Sequence, residues 1–292
     1  MTETGGSARA GEEPGAGPYS EAVEAVRSYY NSGDVRRIYD ASYGDEHLHL
    51  GIYESDRDTV DEAGQRTVER IASMIHELGP GTRVLDIGAG HGGSARYLFR
   101  RYGCHVACLN LSDAQNAQNR ELNARNKCSL AINVVDGSFE DIPVTDGSFD
   151  VVWSQDAILH STRRKQVFAE VGRVLRKGGQ FIFTDPMVGE SCPPEALQPI
   201  LDRVRLDSLG SLREYRTLLS ELDFDELEFA DLTPHLATHY GRILDGLLAN
   251  EQDLVEQCGA DHVQRVKTGL RHWVDGGERG YLQWGILHFR KA

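Results

Sequence analysis

Between Thr59 and Leu78 the apolar positions Val60, Gly64, Val68, Ile71, Ile75 and Leu78 fall three or four residues apart, which predicts a helix with one buried face. Gly79-Pro80-Gly81 closes it. The pattern then changes. Short β-rich runs at Arg83–Ile87, His105–Asn110, Ala131–Asp136, Phe149–Ser154 and Gln180–Asp185 alternate with helix-like stretches at Gly93–Arg101, Asp113–Lys127 and Arg164–Leu175. Such alternation predicts parallel strands with crossover helices, an α/β doubly wound sheet. The stretch from Pro193 to Asp275 reads as mostly helical with a strand near Leu227, and Leu282–Arg290 reads as a final strand, bringing the sheet to seven strands. Ahead of all this, Tyr19 to Asn31 has helical spacing, with Ala22, Val26 and Tyr29 or Tyr30 on one side.

Residues 1–18 are small, polar and rich in glycine, and read as a disordered tail. No internal repeat and no Pro/Ser-rich linker interrupts the remainder, so 19–292 is expected to be a single domain. Within it, 19–80 forms an N-terminal helical lid, 81–188 the core, 189–276 a mainly helical insert and 277–292 the last strand.

Composition narrows the function. The chain has 292 residues, with 40% hydrophobic and 26% charged positions, ordinary for a globular protein that builds a large core. No run approaches the roughly 18 apolar residues of a membrane span, and the start lacks the apolar segment of a signal peptide, so a cytoplasmic protein without a membrane partner is expected. A formal charge of -14 argues against a nucleic-acid partner, which needs a basic face. The five cysteines form no CxxC pair, so neither a disulfide framework nor a zinc site is expected. His47 and His49 find no third metal ligand at a suitable spacing, so no metal site is expected.

The chemistry concentrates in Val84-Leu85-Asp86-Ile87-Gly88-Ala89-Gly90-His91-Gly92-Gly93, a strand running into a glycine turn and then a helix. Gly88 and Gly90 let the backbone approach a ligand where a Cβ would collide. Asp86 stands just before the turn, placed to hold a cationic amino group. Gly88, Gly90 and Gly93 also satisfy the dinucleotide spacing, which leaves a nicotinamide oxidoreductase as an alternative. That reading wants an acid about 20 residues on, and the second strand ends instead in Asn110. The third strand ends Asp136-Gly137-Ser138-Phe139, an acid and a backbone turn suited to adenine.

Taken together, DIGAGHGG at Asp86–Gly93, the loop at Asp136, FDVVWSQDAILH at Phe149–His160 and LRKGGQFIFTDP at Leu175–Pro186 resemble the class I S-adenosylmethionine-dependent methyltransferases, with their Rossmann-like seven-stranded sheet. Within that class the chain resembles the sarcosine/dimethylglycine N-methyltransferases of betaine synthesis. The segments carrying this likeness are YYNSGDVRRIYDASYGDEHLHLGIY, CLNLSDAQNAQNRE, WSQDAILHS, TDPM, PILDRVRLDSLGSLREYR and HWVDGGERGYLQWGILHFRK. The resemblance implies S-adenosylmethionine as methyl donor, S-adenosylhomocysteine as product, and a small amino acid as acceptor. A methyltransferase for another small amine such as phosphoethanolamine is the rival within the class. The oligomer expected is a monomer or homodimer.

The resemblance also implies roles. Tyr39, Asp86, Gly88, Ala89, Gly90, Asn110, Leu111, Gln115, Asp136, Gly137, Ser138, Phe139 and Gln155 would hold the cofactor, and His160 with Asp156 would serve catalysis. An acceptor with a carboxylate calls for an Arg fork, and a quaternary ammonium product for aromatic faces. Arg203 and Arg216 are the candidate forks, each with a surface salt bridge as the bland alternative. Tyr30, Tyr215 and Tyr240 are the candidate faces, with Tyr29, Tyr39 and Trp153 near the expected mouth, and Tyr29 and Tyr30 equally readable as core. Pro186 and Met187 are apolar where a pocket for N-methyl groups is expected. Asp156 remains readable as a cofactor ligand or a helix cap, and His160 as a catalytic or a capping residue.

Overall fold

The computed structural model describes residues 19–31, 33 and 48–292. Tyr39 and His47, like the tail at 1–18, lie outside the described residues. Seven strands form one sheet: β1 (Arg83–Ile87), β2 (His105–Asn110), β3 (Ile132–Asp136), β4 (Phe149–Gln155), β5 (Leu175–Val188), β6 (Phe224–Asp231) and β7 (Leu282–Lys291). Their order is β3-β2-β1-β4-β5-β7-β6, with β7 antiparallel to both neighbours and the strands from β3 to β5 parallel. The order reverses between β1 and β4, and at such a switch point the carboxyl ends of the strands open a crevice.

The central strands β1, β4, β5 and β7 are largely buried on both faces, so their apolar runs are near-continuous, whereas the edge strands β3 and β6 are partly exposed. Side chains still alternate: Leu85, Val152 and Phe181 pack on one face with Phe168 and Leu219, while Val84, Val151 and Ile182 pack on the other with Val68, Ile71 and Leu98. A third apolar cluster, with Leu236, Ile243, Trp273 and Trp284, lies among the C-terminal helices.

The helices flanking the sheet are α1 (Glu21–Tyr30), α2 (Val60–Met74), α3 (Gly93–Tyr102), α4 (Asp113–Arg125), α5 (Arg164–Val174), α6 (Pro194–Arg203), α7 (Leu212–Glu221), α8 (Thr233–Ala249), α9 (Glu251–Cys258) and α10 (Ala260–Glu278). Helix α2 begins at a capping box of Thr59 and Glu62, as S/T-x-x-E spacing favours. It stops before the expected Leu78. Past Ile75 the chain turns extended, and the Gln180 amide holds both backbone groups of His76, at 3.2 and 3.1 Å.

Strand β5 is longer than the sequence pattern predicts, because β7 pairs with it from Gln180 to Val188. Pro186 and Met187 therefore sit within the sheet opposite Trp284 and Gln283. Met187 is fully buried in the core beside Phe183 and Tyr215, which corrects the expectation that it lines a pocket for N-methyl groups. Pro186 is buried there too. Among the described residues no helix is long and apolar enough to cross a membrane.

Candidate active site

The crevice holds a cleft between the carboxyl ends of β1, β2, β3 and β4 and the inner face of α1. Its floor is the glycine turn. Gly88 has φ +79°, and a Cβ on it would stand 2.4 Å from the Cβ of Ala157, so both conformation and space require glycine. The N–H groups of Gly88 and Ala89 donate to the Leu109 carbonyl at 2.8 and 3.2 Å, clamping the turn to the end of β2. Gly90, at φ +51°, continues it.

Asp86 closes one end of the floor. Its side chain is 3% exposed, no hydrogen bond reaches its carboxylate from the described residues, and burial pushes its pKa up to about 7. A buried acid that no donor among the described residues reaches is a site suited to a cation.

At β2 the Asn110 amide donates to Gln115 Oε1 at 3.1 Å, and both side chains line the cleft with Leu111. Ser112 caps α4 and donates to Asn31 Oδ1 at 2.7 Å, while Arg27 pairs with Asp113 at 2.5 Å. These contacts fasten α1 across the opening. Gly137, Ser138 and Phe139 form the far wall. Gln155 accepts from Ser94 Oγ at 2.5 Å and Trp153 Nε1 at 2.9 Å, and it also lines the cleft.

The turn after β4 carries the second charged group and the imidazole. Asp156 adopts φ +49°, an uncommon conformation for a residue with a side chain. Its Oδ2 accepts from Leu50 N–H at 2.7 Å and its Oδ1 from Trp284 Nε1 at 2.9 Å, so it ties the segment entering α2, the turn and β7 together. A single 3-10 turn, Ile158–His160, follows. His160 Nε2 lies 2.7 Å from Tyr30 Oη, with the rings edge to face at 5.3 Å. Burial pushes the His160 pKa down to about 4, leaving the imidazole neutral near pH 7.

The structure thus brings Tyr30, Asp86, Gly88, Ala89, Gly90, Asn110, Leu111, Gln115, Gly137, Ser138, Phe139, Gln155, Asp156 and His160 to one cleft. Several expected residues are elsewhere. Asp136 turns its carboxylate out to Arg120 and to Asn116 Nδ2 at 2.7 Å, and only the residues after it reach the cleft. Tyr215 is fully buried beneath the turn, its hydroxyl donating to Asp185. Arg216 is 44% exposed and makes a two-pronged pair with Glu226 at 2.7 Å, the bland alternative that its sequence position left open. Trp153 is buried in the sheet core.

Arg203 and Tyr240 form a separate group. The Arg203 guanidinium stacks on Tyr240 at 5.1 Å and on Trp273 at 5.5 Å. It lines a second cleft with Tyr29, whose ring packs edge to face on that of Tyr30 at 5.1 Å. Tyr29 and Tyr30, adjacent on α1, thus line one cleft each.

Sequence reasoning missed Val23, Val26, Arg27, Leu48, His49, His91, Ser94, Ser112 and Glu140, which also line the first cleft. The signal for α1 was present in its apolar stripe, but that stripe faces the cleft instead of the core. The pairing of Arg27 with Asp113 spans 86 residues and has no local signature.

Residues 85–183 match a family profile described as a methyltransferase domain. Together with the sheet order and the cleft at its switch point, this makes the chain a class I methyltransferase. Over 272 residues it is 49% identical to the sarcosine/dimethylglycine N-methyltransferase of Halorhodospira halochloris, spanning 93% of this chain and 98% of the relative. The enzyme of that name from Aphanothece halophytica is 45% identical over 269 residues, 92% of this chain and 97% of the relative. A crystal structure provisionally assigned as a sarcosine dimethylglycine methyltransferase, from Galdieria sulphuraria, superposes with a TM-score of 0.85 at 39% identity, covering 90% of this chain and 99% of that one. The chain belongs to the sarcosine/dimethylglycine N-methyltransferase family.

Proposed function

We propose that the protein methylates the nitrogen of sarcosine and of dimethylglycine with S-adenosylmethionine, giving glycine betaine and S-adenosylhomocysteine. The family supports the reaction. The observation that carries the site is the Tyr30–His160 contact in the cleft whose floor is Asp86 and the glycine turn.

The cleft fits the cofactor on its own chemistry. Asp86 is a buried carboxylate that no described donor reaches, suited to the cofactor's ammonium, and the Gly88–Gly90 turn lines the cleft beside it. Asn110 and Gln115 offer amides to the ribose hydroxyls, and Gly137, Ser138 and Phe139 border the space for adenine. When bound, S-adenosylmethionine supplies an electrophilic sulfonium methyl.

The chain's own tasks are to align the acceptor, exclude water and strip the amine of its proton, since only a neutral amine attacks. With Nε2 as the acceptor tautomer, the Tyr30 oxygen takes the ammonium proton as its own hydroxyl hydrogen passes to His160, which, weakened as a base by burial, relays it onward to solvent. Arg203, held by Tyr240 and Trp273 at the second cleft, is the fork assigned to the acceptor carboxylate. Arg203→Ala is expected to raise KM for dimethylglycine about tenfold or more, the loss of one charge-assisted contact, whereas Arg216→Ala leaves KM unchanged. Equal KM values for the two variants would remove Arg203 from this role. The reading carries with it a cytoplasmic location and a monomer or homodimer.

Asp86 makes a pH prediction. A cation favours the ionised carboxylate, so binding lowers its pKa from about 7 and releases a proton at lower pH. Affinity for S-adenosylmethionine should weaken about tenfold per pH unit below about 7. Calorimetry at pH 6 in buffers of differing ionisation enthalpy checks it, and pH-independent affinity across this range would contradict it.

The acceptor is tested by mass spectrometry of products from glycine, sarcosine, dimethylglycine and phosphoethanolamine, each with S-adenosylmethionine. Betaine from sarcosine and dimethylglycine is the expected result. Methylation of phosphoethanolamine alone would replace the acceptor and leave the cofactor site standing.

A further inference from the structure

The turn that presents His160 has a support behind it which the reaction itself does not use. Asp185, fully buried near the end of β5, accepts the Leu159 N–H on Oδ1 at 3.1 Å. The first N–H groups of a short helical turn have no partner within the turn, so this carboxylate acts as its cap from a different strand. The same carboxyl accepts the hydroxyl of Tyr215 on Oδ2. Tyr215 is held in turn: its ring packs edge to face on Phe168 at 5.5 Å and lies 5.6 Å from Phe183. A Cβ on Gly210 would stand 2.4 Å from that ring and hydroxyl, so glycine there makes the space. The chain at Gly210 is itself bonded to β5 through Val188 N–H at 2.8 Å.

The geometry points to the Asp185–Tyr215 pair as a positioning device for His160: it fixes the backbone one residue before the imidazole and so sets the His160–Tyr30 spacing. Neither residue lines the cleft. The Asp156 side chain pins the opposite end of the same turn, through Leu50 and Trp284. The imidazole is therefore presented from a segment anchored on both sides by carboxyls, the half-buried one of Asp156 and the fully buried one of Asp185. Burial pushes the Asp185 pKa up, and the Tyr215 and Leu159 donors oppose that shift, in keeping with a carboxyl kept for the bonds it receives.

The inference rests on the reading that His160 acts on the acceptor amine, and the test separates the two. Tyr215→Phe keeps the ring and removes only the donor. It is expected to lower kcat on dimethylglycine about tenfold while KM and the S-adenosylmethionine Kd stay within about twofold, because misplacement of a reacting group is felt in the chemical step. Asp185→Asn is expected to restore most of the rate lost in Asp185→Leu, since the amide oxygen still accepts from Leu159 and the amide N–H₂ can donate to the Tyr215 oxygen. A double-mutant cycle with Tyr30→Phe reads the link: acting through the His160–Tyr30 contact, Tyr215→Phe costs much less in the Tyr30→Phe background. Thermal unfolding and cofactor titration of each variant confirm that a folded, binding enzyme is compared. Independent, multiplicative losses, or a Tyr215→Phe enzyme with unchanged kcat, would overturn the positioning role. A His160→Ala enzyme with normal kcat would overturn the underlying reading instead.

Discussion

Asp86→Asn is expected to weaken S-adenosylmethionine binding about a hundredfold at pH 7.5 to 8 while leaving the fold intact, the scale of losing one charge-assisted contact in a dry site. The substitution preserves shape, and no described donor bonds the carboxylate, so no hydrogen bond among the described residues breaks. Removing a buried charge also relieves the free protein of its desolvation cost, so the melting temperature without ligand should hold or rise. Isothermal titration and thermal unfolding give both quantities. An unchanged Kd would mean that the cofactor's ammonium lies elsewhere; a collapsed melting temperature would mean that Asp86 is a structural residue.

The second large effect is at His160. His160→Ala is expected to cut kcat on dimethylglycine by about 10²- to 10⁴-fold, the usual range for a positioned acid–base group, with the cofactor Kd little changed. Burial keeps the imidazole neutral across the neutral range, able to accept a proton in transit but too weak a base to retain it. Raising the pH toward the acceptor's own pKa should shrink the deficit, since a free amine needs no base. Tyr30→Phe should show a smaller loss with the same pH trend. A deficit that stays constant with pH would assign His160 to alignment instead of proton transfer. Initial rates from pH 7 to 10 on both variants decide it.

Much of this architecture is legible in the amino-acid sequence. The limits of β1 and β2 coincide with the apolar runs, because both strands are buried on two faces and end where the polar and glycine residues of the cleft begin. The glycine turn is legible because positive φ and the approach of Ala157 leave no alternative at Gly88. Residues chosen by position on an element fared less well. Arg216 finds Glu226 on β6, an antiparallel partner of β7, and nothing local announces that pairing. Met187 reads as the residue after a strand, yet β7 prolongs β5 through it. Tyr215 lies close to the site in space but behind the turn, a distinction that depends on which face of α7 is buried. The Tyr30–His160 contact joins residues 130 apart and arises only from the docking of α1.

Strand β7 is synthesised after both of the strands it separates. Until it emerges, β5 and β6 each present an open edge to other nascent chains, a setting that favours mispairing. The same strand brings Trp284, whose indole N–H is one of the two donors holding Asp156 in its uncommon conformation. Assembly of the catalytic turn therefore waits on the closing of the sheet, and a ribosome-bound chain that lacks β7 carries the cofactor motif complete in sequence but not yet a finished place for the amine.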